Sequence, residues 1–145
     1  MTQTVFILNG PNLNMLGLRE PEIYGAETLG DIEQAAQAHA KGLGLEVEFR
    51  QTNVEGELVS WVQEARTNAD ALILNAGAYT HTSIAILDAL RALDIPVIEV
   101  HLSNIFRRED YRKHSYVSEA ATGIISGFGA HGYILALDAA KKLIG

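Results

Sequence analysis

The chain contains no cysteine. That excludes disulfides, thiolate metal sites and a cysteine nucleophile. It has no uninterrupted apolar run of the ~18 residues that a membrane helix needs, so no membrane span is expected. The opening MTQTVFILNG lacks a basic stretch before its apolar run, so no secretory signal is expected and a cytoplasmic location fits. Positive charge is scarce: 11 Lys and Arg against 18 Asp and Glu give a net charge of −7. Nucleic acid is therefore a poor partner, since phosphate binding needs a clustered basic face. A small anionic substrate is not excluded, because the field inside a cleft counts for more than the total. Arg107, Arg108, Arg112 and Lys113 fall within seven residues, and a solvated basic face is the plain reading of that group. The five histidines show no H-E-x-x-H or similar spacing, so no metal site is expected. Internal repeats, low-complexity segments and linkers are also missing.

What remains is an ordinary globular composition: 145 residues, 48% hydrophobic and 20% charged. One domain over 1–145 with a substantial core is expected. Strand and helix signals alternate along it. Val5–Leu8 reads as a buried strand. Thr28 and Asp31 form a capping-box pattern, followed by Leu29, Ile32, Ala36, Ala40 and Leu43 at helical spacing, and Gly42 and Gly44 end the helix. Leu45–Arg50 alternates strictly, as an edge strand with one wet face does. Leu58, Trp61, Val62 and Ala65 stripe a second helix. Ala71–Leu74 is wholly apolar, as at the centre of a parallel sheet. Residues 82–93 read as a third helix with Ile84, Leu87, Leu90 and Leu93 inward. Pro96 opens the strand Val97–Val100. Residues 105–113 read as a short helix, Gly123–Ser126 as a fifth strand and 131–143 as the last helix.

Five strands alternating with helices imply a doubly wound α/β fold, a parallel sheet covered on both faces. With the alternating strand second in sequence, the flavodoxin-like order 2-1-3-4-5 follows. Ligands then bind beyond the carboxyl ends of the strands, where the order reverses. Asn9, Asn75 and Glu99-Val100-His101 end the strands at that rim. The first strand also runs into a long loop, about 10–26, rich in Gly, Pro and Asn, of the kind that forms lids and binding loops. A plain irregular surface loop is the alternative.

The rim offers acid–base groups. Glu99 and His101 are two apart, so they share a strand face. A carboxylate there can orient the imidazole and keep it protonated as a general acid; a strand-end histidine in a structural hydrogen bond is the alternative. Tyr24 is a poor base unless a cation favours its anion, and Arg19 and Arg108 are the candidates. By residue type alone a packing tyrosine is the commoner outcome. His81 and Asp88, seven apart at a helix start, share a face. Asp88 lies among Ile84, Leu87 and Ala89, where it needs a partner if buried; a partly exposed polar stripe is equally consistent. The backbone at Leu102 and Ser103 follows a strand, where free N–H groups suit a carboxylate. Gly127-Phe128-Gly129-Ala130-His131-Gly132 matches G-x-G-x-x-G, but no later strand carries the acid a dinucleotide site needs. These glycines read as helix–sheet packing.

The segment Leu8-Asn9-Gly10-Pro11-Asn12-Leu13-Asn14-Met15-Leu16-Gly17-Leu18-Arg19-Glu20-Pro21-Glu22-Ile23-Tyr24-Gly25 resembles the N-terminal signature of the type II 3-dehydroquinate dehydratases. Asn75–Ser83, Glu99–Asn104, His114-Ser115-Tyr116 and Gly127–Tyr133 fall in the same family's order, so the resemblance spans nearly the whole chain. It implies dehydration of 3-dehydroquinate to 3-dehydroshikimate by anti elimination through an enolate, in the shikimate pathway or in quinate breakdown, with no cofactor or metal. It implies Tyr24 as base, Arg19 holding it as the anion, Asn12 positioning a water at the enolate oxygen, and His101, oriented by Glu99, as acid. The backbone at Leu102 and Ser103 would take the substrate carboxylate, with Asn75, His81 and Arg112 as further substrate contacts. Asp88 would reach a neighbouring subunit's site in a homododecamer built from trimers. Phe106, Arg107, Leu87 and His131 depart from residues common in the family, and none is the implied acid or base. A receiver domain would need clustered acids after the first strand and a flavin binder a phosphate loop there; Asn9-Gly10-Pro11-Asn12 offers neither. An inactive structural relative would predict a broken Tyr24, Arg19 and His101 set, and all three are present.

Overall fold

The computed structural model describes residues 2–145. Five parallel strands, β1 (Gln3–Asn9), β2 (Leu45–Gln51), β3 (Ala71–Asn75), β4 (Val97–His101) and β5 (Gly123–Ser126), lie side by side in the order β2-β1-β3-β4-β5. That is the order expected from the sequence. The helices are α1 (Pro21–Tyr24), α2 (Leu29–Gly42), α3 (Glu55–Asn68), α4 (Ile84–Arg91) and α5 (His131–Ile144). Strand parity sorts the core. Val5, Ile7, Ile73, Ile98 and Val100 pack with α2 and α5, while Phe6, Leu8, Leu72, Leu74 and Val97 pack with α3 and α4. Every residue of β3 and β4 is buried, which is why those strands read as continuous apolar runs. β2 alternates wet and dry at the sheet edge.

Helix starts follow local hydrogen bonding. Thr28 and Asp31 exchange their bonds at 3.1 Å each, completing the capping box of α2, which contributes about 1 kcal/mol. The third helix begins later than expected. Residues 77–81 form a 3-10 turn, Ser83 accepts the N–H of Ile86 at 2.9 Å, and α4 starts at Ile84. This register leaves Ile84 56% exposed, keeps Leu87 and Leu90 buried as expected, and buries Ile86 as well. Residues 105–113 are not one helix but two 3-10 turns, Ile105–Arg107 and Asp110–Arg112. Asn104 caps the first through its side chain, 3.1 Å from the Phe106 N–H.

At the switch point the loops leaving β1 and β3 touch. The Gly10 N–H donates to the Asn75 carbonyl at 2.8 Å. A Cβ on Gly10 would lie 2.3 Å from the Ala76 carbonyl oxygen, and Gly77 takes φ +60 beside Pro11. Glycine is required there because two backbones occupy the space. The 127–132 glycines divide the work. Gly127 (φ +100) and Gly129 (φ +59) supply turns, and only Gly132 meets the sheet, where a Cβ would contact Val100 and Ile125.

Candidate active site

A cleft of about 250 Å³ opens where β1, β3 and β4 end. A wider depression of about 850 Å³ lies along the β2 edge between Gln37, Lys41, Glu46 and Glu48. It is lined by no histidine or tyrosine; the smaller cleft brings both together. Among the described residues no group of three or more His, Asp or Glu is arranged to hold a metal ion.

One wall is the end of β4. The period of two puts Glu99 and His101 on the same side, and His101 Nε2 lies 2.5 Å from Glu99 Oε2. Glu99 is wholly buried, so charge there is costly without donors. The same oxygen accepts the Ser115 hydroxyl at 2.7 Å, and Oε1 accepts the Ser118 hydroxyl. Burial works to raise the Glu99 pKa. The bonds and charge of His101 and the two serine hydroxyls outweigh it, and the pKa falls below its ordinary 4.5. With Nε2 committed to Glu99, Nδ1 of His101 is the nitrogen left for a ligand.

The opposite wall is the 10–26 loop, which is not irregular throughout. Residues 13–15 make a 3-10 turn and α1 is a single helical turn with Pro21 at its start. Tyr24 ends α1 and is half-buried against the core. Arg108 Nη1 donates to the Tyr24 hydroxyl at 2.8 Å and to Ser103 Oγ at 3.3 Å. Arg19 stacks over the same ring with its guanidinium carbon 4.9 Å from the centroid, and its other partner is Glu20 at 3.6 Å. Both cations face Tyr24, but Arg108 reaches its oxygen.

The other expected groups collect at the same cleft. Asn12 lines it in a left-handed conformation, φ +69, which asparagine tolerates. Its N–H donates to Asn53 Oδ1 at 3.0 Å. Asn75 also lines the cleft. Its amide is partly committed: Nδ2 donates to the Tyr133 hydroxyl at 2.9 Å and Oδ1 accepts the Gly77 N–H at 3.2 Å. Tyr133 in turn donates to Asn9 Oδ1 at 2.7 Å, so a buried polar chain underlies the floor. His81 Nδ1 lies 2.8 Å from the His114 carbonyl, which fixes it as the donor and leaves Nε2 as an acceptor. Burial, then the nearby His101 and Arg112, lower the His81 pKa below 6.5 against the raising effect of the carbonyl bond. The carbonyls of His101, Leu102 and Ser103 are taken by Gly127 N–H, Gly129 N–H and Ser126 Oγ, which fixes the turn that lines the cleft. Arg112 completes the rim, braced by Glu109 at 2.7 Å.

Asp88 is absent from this cleft. It sits exposed on α4, whereas His81 belongs to the preceding 3-10 turn. The two do not share a helix face, because the helix starts after His81. Arg108, Ser115 and Ser118 are the groups whose roles the sequence reading left unassigned. Arg108 stood only among possible cations for Tyr24; Ser115 entered only within the His114-Ser115-Tyr116 run of the resemblance, with no role, and Ser118 gave no signal.

The Dehydroquinase class II family matches residues 3–141. The chain is 60% identical over 145 residues to a 3-dehydroquinate dehydratase of Caulobacter sp. (strain K31), covering 100% of this chain and 99% of that protein. It is 54% identical over 138 residues to 3-dehydroquinate dehydratase 2 of Pseudomonas aeruginosa, covering 95% and 93%. Its structure matches that of the type II dehydroquinase from Propionibacterium acnes with a TM-score of 0.94 and 44% identity, over 98% of each chain. A chain that fits the family from its first strand to its last helix, in sequence and in fold, belongs to the class II dehydroquinases.

Proposed function

We propose that this protein is a type II 3-dehydroquinate dehydratase, a hydro-lyase that converts 3-dehydroquinate to 3-dehydroshikimate and water, in the shikimate pathway or in quinate breakdown. The observation that carries the reading is that two held groups line one cleft: Tyr24 held by Arg108, and His101 held by Glu99. An anti elimination needs a base on one face of the ring and an acid on the other.

Tyr24, as its anion, takes a proton from the carbon beside the ketone, and the electron pair moves onto the ketone oxygen as an enolate. Asn12 positions a water at that oxygen. The enolate then re-forms the ketone while the carbon–oxygen bond to the departing hydroxyl breaks. His101 protonates that hydroxyl, which leaves as water, and the product carries a double bond conjugated with the ketone. Arg19 and Arg108 offset the negative charge of the base. The turn at Leu102 and Ser103 takes the substrate carboxylate, and Asn75, His81 and Arg112 contact the ring hydroxyls and carboxylate.

The 10–26 loop acts as a lid that carries the base. Gly17 and Gly25, at φ +89 and +91, and Glu20, at φ +40, are the positions that can absorb its motion. The chain acts as a homododecamer of trimers, with Asp88 reaching a neighbour's cleft. The support for this is the outward face of α4, where Ile84, Ala85 and Asp88 are all exposed. The protein works in the cytoplasm; no helix among the described residues is long and apolar enough to cross a membrane.

The test is direct. Purified protein is mixed with 3-dehydroquinate and a chelator, without added cofactor, and enone absorbance is followed beside Tyr24→Phe and His101→Ala. Enone formation lost in both variants is the expected result. A silent wild type that still binds the substrate would sink the reading.

A further inference from the structure

The Glu99–His101 pair is held by a third element that lies in neither strand nor helix. Residues 115–118 run into a short 3-10 turn, Val117–Glu119, which packs against α4 and anchors the wholly buried Val117 in the core. Two hydroxyls project from it onto one carboxylate. Ser115 Oγ donates to Glu99 Oε2 at 2.7 Å, and Ser118 Oγ donates to Oε1. The Ser118 N–H donates back to Ser115 Oγ at 3.0 Å, which fixes the first hydroxyl's direction and ties the two together. Glu99 therefore receives donors on both oxygens, with His101 as the third.

Such a pair holds its shared proton in one of two places. Either it is an imidazolium beside a carboxylate, or a neutral imidazole beside a carboxylic acid. In a site with no solvent on the carboxylate, burial favours the second. Only the first can protonate a leaving hydroxyl. Hydroxyl donors favour the carboxylate, so they act against burial and shift the balance toward the first. We propose that Ser115 and Ser118 are positioning residues for the acid step, holding the Glu99 carboxylate ionised and in one orientation so that the proton of the pair resides on His101. The claim rests on the assignment of His101 as the acid.

The sign of the kinetic effect follows from the microstates. Losing the hydroxyls destabilises both states that contain the carboxylate, and leaves the neutral pair unaffected. The population of imidazolium falls, so the low-pH plateau of kcat falls. The macroscopic pKa of the pair rises, so the alkaline limb of the profile moves to higher pH. Variant and wild type then converge at the alkaline end. A general loosening of the site instead lowers the whole profile with its limb unmoved. The other titratable and charged groups that face the pair are His81, its ring stacked 6.5 Å from that of His101, Arg112 near His81, and Tyr24 with Arg108 across the cleft. All of these are unchanged in the variants.

The experiment takes Ser115→Ala, Ser118→Ala, the double variant and Ser118→Thr, which keeps a hydroxyl at an exposed position with room for a methyl. Each is measured for kcat and KM against pH with 3-dehydroquinate, beside His101→Ala. Histidine ring nitrogen NMR then reports the protonation state of His101. For the double variant the plateau of kcat is expected to fall by about tenfold or more. KM should stay within about twofold, the limb should move up, and the His101 nitrogens should shift toward a neutral ring; Ser118→Thr should restore both. A double variant with wild-type profile and wild-type nitrogen shifts overturns the proposal while leaving His101 as the acid, provided His101→Ala is inactive. A fully active His101→Ala overturns the acid assignment and this proposal with it.

Discussion

Arg108 Nη1 lies 2.8 Å from the Tyr24 hydroxyl, joining two residues 84 positions apart. Arg19, five residues from Tyr24 in sequence, reaches only the face of the ring. The two cations are therefore not equivalent. A donor aimed at the oxygen stabilises charge on it far better than one over the ring, because guanidinium N–H bonds to an anion are short and strong. Arg108→Ala should lower kcat by about a hundredfold, the scale seen when one donor to a developing charge is removed. Arg19→Ala should cost less, and Arg108→Lys should fall between, because a lysine keeps the charge but not the rigid planar guanidinium that aims a donor at the Tyr24 oxygen. Initial rates of enone formation rank the three. A larger loss at Arg19 than at Arg108 would reverse the assignment.

Gly10 is a structural requirement of the cleft. Its missing Cβ would stand 2.3 Å from the Ala76 oxygen and 2.6 Å from the carbonyl carbon, both backbone atoms. No side chain can rotate to make room. Gly10→Ala must part the loops after β1 and β3, which between them carry Asn12 and His81. The cost should be about 3 kcal/mol, read as a lower urea midpoint, with activity lost in the folded fraction as well. Gly42→Ala is the control: nothing lies within 4 Å of its Cβ position, and in a helix end it should be neutral or slightly stabilising.

Stability should fall on acidification in two windows. The half-buried His81 has its pKa lowered below 6.5, chiefly by desolvation. A native state that resists protonation loses stability as pH drops through 6.5, where the unfolded chain takes the proton, until the native group titrates. Glu99 has its pKa lowered below 4.5 by donors that outweigh burial. Its contribution is complete above 4.5 and disappears as pH falls through the native value. Urea midpoints measured against pH should show both slopes. His81→Asn should flatten the upper one and Glu99→Gln the lower one. A wild-type midpoint constant from pH 7 to pH 3 would contradict both.

Local periodicity explains what the chain made legible. Glu99 and His101 could be paired from the sequence because a strand repeats every two residues, and Thr28 with Asp31 because a capping box spans one turn. The sheet order followed from which strands were wholly apolar and which alternated. Arg108 and Tyr24 meet only through the fold, so the residues alone leave Arg19 and Arg108 as equal candidates, and only the family resemblance singles out Arg19. Ser115 and Ser118 sit in a turn without periodicity, and their role depends on a carboxylate on another element. On α4, Leu87 and Leu90 face inward as the spacing implies, but Ile84 turns outward because Ser83 caps the helix and Ile84 is its first residue.

That outward face carries the final prediction. Ile84 is 56% exposed, and Asp88, four residues on, projects from the same side of α4. Among the described residues no ion pair involves Asp88. An apolar residue and an unpaired carboxylate on one helix face suit a contact with a second subunit, where the carboxylate can meet the cations of a neighbouring cleft. If Asp88 serves that cleft, it acts in trans while Tyr24 acts in cis. Asp88→Asn and Tyr24→Phe should each assemble normally by sedimentation and each be nearly inactive. Unfolded together and refolded as mixed assemblies, they should regain activity, because some clefts then combine an intact Tyr24 with an intact Asp88 from the neighbour. In a random mixture about a quarter of clefts would do so. Mixtures as inactive as their parents, with mixed assemblies confirmed by mass, would place Asp88 outside the neighbour's chemistry. Ile84→Arg should separate the subunits and abolish activity without unfolding the chain, since the side chain already faces outward.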